Sequence, residues 1–324
     1  MTTTTAAEEA LALQRPERRG TGLVRAARAT WRFARRKPLG AFGGFLVLVL
    51  LFFATFADAR VFGSSEPLLA PHGFKDQFLA DRNEAPSRDF PFGTDQTGHD
   101  MLSQIIFGAR VSVIIGFSAV AIAAILSGIV GIVSGYYGGW LDSLLQRVVD
   151  ILISFPAIVL LVTLVSVFAP PGTARGTEFW RAMALIVGLG ILIAAGASRV
   201  IRAATISIKH NQYVEAARAI GASDLRILAQ HILPNVFAVI VILSTVQLGA
   251  AILAEAAISF LGYGIPPPFP AWGSMLSTQG VPFMRENPWL AIWPGVAIAL
   301  AVYGFNMLGD AMRDVLDPRL RGSR

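Results

Sequence analysis

The chain has 324 residues, of which 54% are hydrophobic and only 15% charged, and its mean hydropathy is +0.59. That balance is too apolar for a water-soluble domain of this length and points to a membrane protein. Cysteine is absent, which excludes disulfides, thiol catalysis and cysteine-bound metals, while the net charge of +6, which elsewhere suggests nucleic acid, is distributed as membrane topology requires.

Residues 1–37 read as a basic cytoplasmic segment. The Thr- and Ala-rich start through Leu13 has no apolar period, and nine basic residues lie between Arg15 and Lys37 against the single acid Glu17. So long a basic region, with no small-residue cleavage site after the hydrophobic run, does not fit a secretory signal. Trp31 and Phe33 among the arginines suit an interfacial helix on anionic lipid better than nucleic-acid stacking. Residues 38–57 carry no charge and, at about 1.5 Å per residue, can cross a hydrocarbon core of about 30 Å; they form the first span.

Residues 58–105 read as an extracytoplasmic loop with a short amphipathic helix, because eight acids face four basic residues between Asp58 and Asp100. Asp95, His99 and Asp100 resemble metal donors, but two carboxylates and one histidine without a second cluster are commonplace in turns. The competing expectation is that Thr94 or Asp95 caps a short helix ending at Arg110. Residues 106–308 are the core. The uncharged run from Val111 to Leu141 supplies the second span, and GYYGGWLD turns the chain on the cytoplasmic side. A third span runs from Ile151 to Ala169 with Pro156 near its start, and Pro170, Pro171 and Gly172 turn it back outside. The fourth, Ala182 to Ser198, is short unless Trp180, Arg181 and Arg199 reach the interface.

Between the fourth and fifth spans, residues 211–234 break the apolar pattern and read as two short helices meeting at Gly221. Tyr213, Val214, Ala217 and Ile220 give the first an apolar face opposite Glu215 and Arg218. Gly221 closes it, Ser223 is placed to accept an orphan amide, and Leu225, Leu228 and Ile232 stripe the second arm up to Pro234, which marks its limit. A surplus of basic residues around this elbow puts it in the cytoplasm. Its periodicity also allows an amphipathic connector lying on lipid. A DNA-binding helix-turn-helix is disfavoured, since both ends run directly into membrane segments.

The fifth span, Val236 to Gly262, contains Glu255, a carboxylate that must face protein or water. It either lines a translocation path, together with Ser259 and Asn306, or bonds a neighbour to lock helices; both remain open. GIPPPFPAWGSM, with four prolines, is a stiff outside loop, Trp289 to Leu308 is the sixth span, and the basic residues of 309–324 return the tail to the cytoplasm. Six spans with both ends inside is self-consistent. No inverted repeat, G-x-x-x-x-G-K-[ST] loop, serine elbow or HExxH motif occurs, so catalysis, including ATP hydrolysis, is not expected of this chain.

The motifs EAARAIGASDLRILAQHILP, PFGTDQTGHDMLSQIIFGARVS, GYYGGWLDSLLQRVVDILISFPAIVL, AILAEAAISFLGYGIPPPFPAWGSML and FNMLGDAMRDVLDPRLRG stand in one order. Together, over about Arg35 to Gly322, they resemble the C-type permease subunit of ABC importers for dipeptides and oligopeptides, with 211–234 as the EAA loop. The resemblance implies an all-α membrane protein with the type I importer permease fold and cytoplasmic coupling helices. It implies ATPase coupling through Glu215, Ala216, Ala217, Gly221, Ala222, Ile232, Leu233 and Pro234, and places Asp150 and Ser154-Phe155-Pro156 near the cytoplasmic mouth of the pore helices. Implied partners are a second homologous permease, two ABC ATPase subunits carrying ATP and Mg, an extracytoplasmic substrate-binding protein and the lipid bilayer of the cytoplasmic membrane, with no nucleic acid and no cofactor on this chain. His99 stands where the family usually has arginine. The contrasting reading is a self-contained secondary transporter or channel.

Overall fold

The computed structural model describes residues 31, 34–35, 37–58, 67–170 and 178–316. Most of the basic leader, the turn at Pro171 and Gly172, and the arginines at 319, 321 and 324 lie outside the described residues, as do the expectations attached to them. Within the described residues the structure is helical, with isolated bridges at Asp58–Pro67 and Thr94–Asp100 and no strand. Five helices are long and apolar enough to cross a bilayer, six when one bent pair counts as a single span.

Helix α1 (Pro38–Phe56) starts on a proline, which fits the first turn because its missing amide has no partner there anyway. Val47, Leu50 and Ala54 pack it into a core shared with Ala109, Leu248, Trp272, Leu290 and Phe305. Lys37 Nζ meets Asp314 at 2.6 Å, so the start of α1 and the end of the last helix lie at one end of the bundle.

Helix α2 (Met101–Tyr137) is longer than any single crossing needs, about 55 Å at 1.5 Å per residue. Its cap is Asp100, which accepts from the amides of Leu102 and Ser103, each at 3.2 Å. The expected short helix capped by Thr94 or Asp95 and ending at Arg110 does not form as a separate element. Asp95 is used inside a tight loop, and nothing between Met101 and Tyr137 stops the helix. Arg110 clamps α1 through Ala54 O at 2.8 Å and Asp58 at 2.9 Å.

The expected third span is broken. Helix α3 (Gly139–Ser154) and helix α4 (Ala157–Phe168) meet at 93°, with Phe155 extended between them. Pro156 supplies no amide and disfavours helical geometry for the residue before it, and Phe155 takes up that preference, so the helix breaks here. Asp142 of α3 pairs with Arg202 and accepts from Ser134, and Asp150 pairs with Arg199.

Helix α5 (Glu178–Lys209) is 32 residues long, well beyond the expected 182–198. Its Arg181 does not reach outward: it is buried and donates to the carbonyls of Gly262 at 3.3 Å and Gly264 at 3.1 Å. α5 lies along α2, where Gly131 admits the close approach: a Cβ there would sit 2.7 Å from that of Ile201.

Helix α6 (Gln212–Ala219) and helix α7 (Asp224–Phe260) form the elbow and the next span. Pro234 does not end the second arm. The helix widens into a π turn at Leu228–Ile232, Leu233 N bonding to Leu228 O, and runs on. Widening accommodates a residue that lacks an amide and crowds the preceding turn. The proline-rich loop also differs from expectation. After it, helix α8 (Trp272–Met275), a π turn (Leu276–Gly280) and helix α9 (Val281–Phe283) fold back among α2, α7 and helix α10 (Trp289–Leu316). Trp272 is buried and donates Nε1–H to Ile105 O at 3.0 Å.

Candidate functional site

The elbow is built on one buried patch. Val214 and Ala217 of α6 and Ile227, Ile232 and Val236 of α7 pack with Ile132 and Tyr136 of α2 and Ile201 of α5. α6 is an eight-residue helix with only two buried positions, too little to hold it by itself, so tertiary packing and its ends decide its pose. Gly221 takes φ +83°, with Gly221 N bonding to Arg218 O and Ala222 N to Ala217 O, each at 3.0 Å. This is the helix closure that favours glycine at the left-handed position. Ser223 precedes α7 but makes no capping bond with its side chain.

Polar bonds brace the same patch. Tyr136 Oη donates to Asp224 at 2.6 Å, the Arg218 guanidinium lies 5.9 Å from the Tyr136 ring centre, and Lys209 Nζ donates to the carbonyls of Gly135 at 3.0 Å and Tyr136 at 3.2 Å. The bracing roles of Tyr136 and Lys209 are not legible in the sequence, where Lys209 counts only toward the basic surplus, because they depend on the end of α2 meeting α6 and α7 and no local pattern records that meeting.

The expected apolar stripes are only partly buried. Ile220 is 87% exposed and Leu225 77% exposed, because Ile220 falls beyond the last turn of α6 and Ile227, not Leu225, faces the core. Glu215, Ala216, Gly221 and Pro234 are exposed, as is Leu233, whereas Ala217 and Ile232 are buried and Ala222 is half-buried. Glu215 makes no side-chain bond to any described residue. The eight expected coupling residues thus divide: Ala217 and Ile232 anchor the elbow, Glu215, Ala216 and Gly221 are exposed beside the bend with Ala222 half-buried, and Leu233 and Pro234 are exposed beyond the π turn.

The three expected path residues do not share a surface. Glu255 and Ser259 are fully buried where α7 meets α2; the carboxylate accepts from Ser259 Oγ at 2.7 Å and Ser112 Oγ at 3.0 Å. Asn306 is exposed on α10 against Gly249.

In the loop, Asp95 accepts from His99 Nδ1 at 3.1 Å, His99 N at 2.9 Å, Thr97 N at 2.8 Å and Gln279 Nε2 at 2.7 Å. Asp100 turns instead to Ser103 Oγ at 2.6 Å and His72 Nδ1 at 3.3 Å. The would-be donors Asp95, His99 and Asp100 therefore do not converge. Burial pushes the Asp95 carboxyl up, but the bonds from the His99 side chain and amide and from Thr97 outweigh it, leaving the group below its ordinary range.

Residues 127–322 match the profile of the binding-protein-dependent transport system inner membrane component. The chain belongs to this permease family. Residues 26–86 also match the N-terminal membrane domain of oligopeptide transport permease C. Among curated relatives, the dipeptide transport system permease protein DppC of Alkalihalophilus pseudofirmus is 35% identical over 90% of both chains. The glutathione transport system permease protein GsiD of Escherichia coli is 36% identical, again over 90% of each. A putative peptide transport system permease protein of Brucella suis is 39% identical over 74% of this chain and 77% of its own. The solved structure of the MetNI methionine ABC transporter in inward-facing conformations superposes with a TM-score of 0.54 at 20% identity, covering 67% of this permease and 98% of the matched chain. That likeness speaks for the fold, which is the type I importer permease fold.

Proposed function

We propose that this permease is the transmembrane subunit of an ATP-driven importer of dipeptides or oligopeptides in the cytoplasmic membrane, coupled to its ATPase through the elbow at 211–234. The observation that carries the reading is the combination of a rigidly anchored bend with two large apolar side chains left uncovered at its tip, Ile220 and Leu225. Exposed apolar groups on a braced element are what a docking partner covers. Two ATPase subunits holding ATP and Mg, a second homologous permease and an extracytoplasmic binding protein complete the assembly. Names of relatives that carry dipeptides, glutathione and peptides support the cargo class.

Closure of the ATPase pair pushes on Ile220 and Leu225. Val214, Ala217 and Ile227 pass the push to α2, α5 and α7, while Gly221 keeps the bend and Glu215 fixes the docked pose by charge or hydrogen bonding. The chain has no cysteine, so Ile220→Cys is the only thiol in the subunit. It is expected to cross-link to an ATPase subunit carrying a cysteine at its docking cleft. Gly221→Val and Glu215→Lys are expected to insert normally yet lose about tenfold or more in uptake and peptide-stimulated ATP hydrolysis, the scale of an ordinary coupling energy. Normal uptake by both variants would overturn the reading.

A further inference from the structure

A cavity of about 360 Å³ opens between α4, α5 and α7, walled by Ala157, Leu161, Leu189, Ala254 and Ile258. Gln247 is its one polar lining side chain among the described residues. Gln247 also borders a second void of about 10 Å³ beside Ser127 and Ser244, room for about one water. Those two serines turn their hydroxyls to their own helices, Ser127 to Ala124 O at 3.4 Å and Ser244 to Ile240 O at 2.8 Å. Among the described residues, the Gln247 carboxamide has no hydrogen-bond partner. It sits near the middle of the membrane helix that starts at Leu233 and ends at Phe260.

A primary amide left dry at that depth is costly, so its position calls for water or a polar guest. We propose that Gln247 is the polar wall of the translocation path, hydrogen-bonding the main chain of the passing peptide; this rests on the importer function proposed above. A carboxamide offers both donors and an acceptor, so it pairs with peptide N–H or C=O whatever the side chains. The apolar walls meet varied side chains without selecting among them, and the cavity has the volume of ordinary small-molecule sites. No charged group lines it, so recognition along this wall falls to hydrogen bonds rather than to ion pairs. Glu255 is not on this wall: eight residues along a helix turn it by about 80°, toward Ser112 of α2. Gly249, which meets Asn306, points about 200° away from Gln247.

The test uses the full importer in lipid, with Gln247→Cys as the only thiol of this subunit and Leu48→Cys, on the outer side of α1, as the lipid-facing control. A small charged methanethiosulfonate is expected to modify position 247 but not position 48, and a pool of alanine di- to tetrapeptides is expected to slow the reaction. Gln247→Leu is expected to raise the half-saturating peptide concentration severalfold in a complex that still assembles, and Gln247→Asn to restore part of the loss. Failure of the charged reagent to react means a lipid-filled groove; loss of assembly in Gln247→Leu means contact with the second permease; reaction without peptide protection means a wet space off the path. Each overturns the assignment while ATP-driven peptide uptake by the wild-type complex leaves the importer reading standing. A wild-type complex that imports no peptide overturns that reading itself.

Discussion

Two buried carboxylates solve the same problem in different ways. Glu255 is held by two serine hydroxyls, one on its own helix and one on α2. Hydrogen bonds between membrane helices are worth about 0.6 kcal/mol on average. Ser112→Ala is therefore expected to lower the thermal midpoint of the detergent-solubilised protein slightly. Glu255→Leu should lower it little more, because the two hydroxyls can turn to their own helix carbonyls; a collapse of the fold would show that Glu255 does more than join α2 to α7. Asp95 ties the His99 turn to Gln279 of the folded-back segment. Its folded pKa lies below its ordinary value of 3.8, so the stability it contributes is complete above that pH and is lost as pH falls through the folded pKa. Asp95→Asn is expected to start less stable at pH 7 and to lose less between pH 5 and pH 2 than the wild type, as read by thermal unfolding. Parallel acid profiles for the two proteins would sink that account.

At the scale of elements, the breaks matter more than the spans. The long apolar runs were legible because hydrophobicity and length alone decide that a segment enters lipid, and α1, α2, α5, α7 and α10 appear where those runs are. What stayed hidden was how prolines are absorbed. Pro156 breaks its helix at 93°, while Pro234 is carried through by a π turn. The difference lies in neighbours: Ile227, Ile232 and Val236 are all locked in the elbow core on either side of Pro234, so the helix deforms instead of ending. Deleting Ala229 removes one residue from the widened turn, and at about 100° per residue it would rotate Ile227 off its buried position. Uptake should then be lost while the protein still reaches the membrane; retained uptake would show that the π turn is incidental. At the site, the glycine bend and the two arms were readable from periodicity. Which apolar residues faced out was not, since exposure of Ile220 and Leu225 depends on the pose that Tyr136 and Asp224 impose.

For the whole molecule, Lys37 with Asp314 and Tyr136 with Asp224 collect the start of α1, the end of α10 and the elbow at one end, and the loop of residues 67–100 occupies the other. A cytoplasmic elbow end is what the surplus of basic residues around it predicts. In intact cells a membrane-impermeant thiol reagent should label Leu79→Cys, 58% exposed in the loop, and should reach Ile220→Cys only after permeabilisation. The opposite labelling would invert the topology and remove any contact with an ATPase.

The right-angle joint at Pro156 leaves α4 with 12 residues, about 18 Å of depth where a bilayer core measures about 30 Å. A lone subunit can meet that shortfall by local thinning of the lipid beside α4. A lone subunit is consequently expected to survive best in short-chain phospholipid and to lose its fold as acyl chains lengthen. The same chain inside a complete transporter, with protein shielding that flank, should be indifferent to lipid thickness.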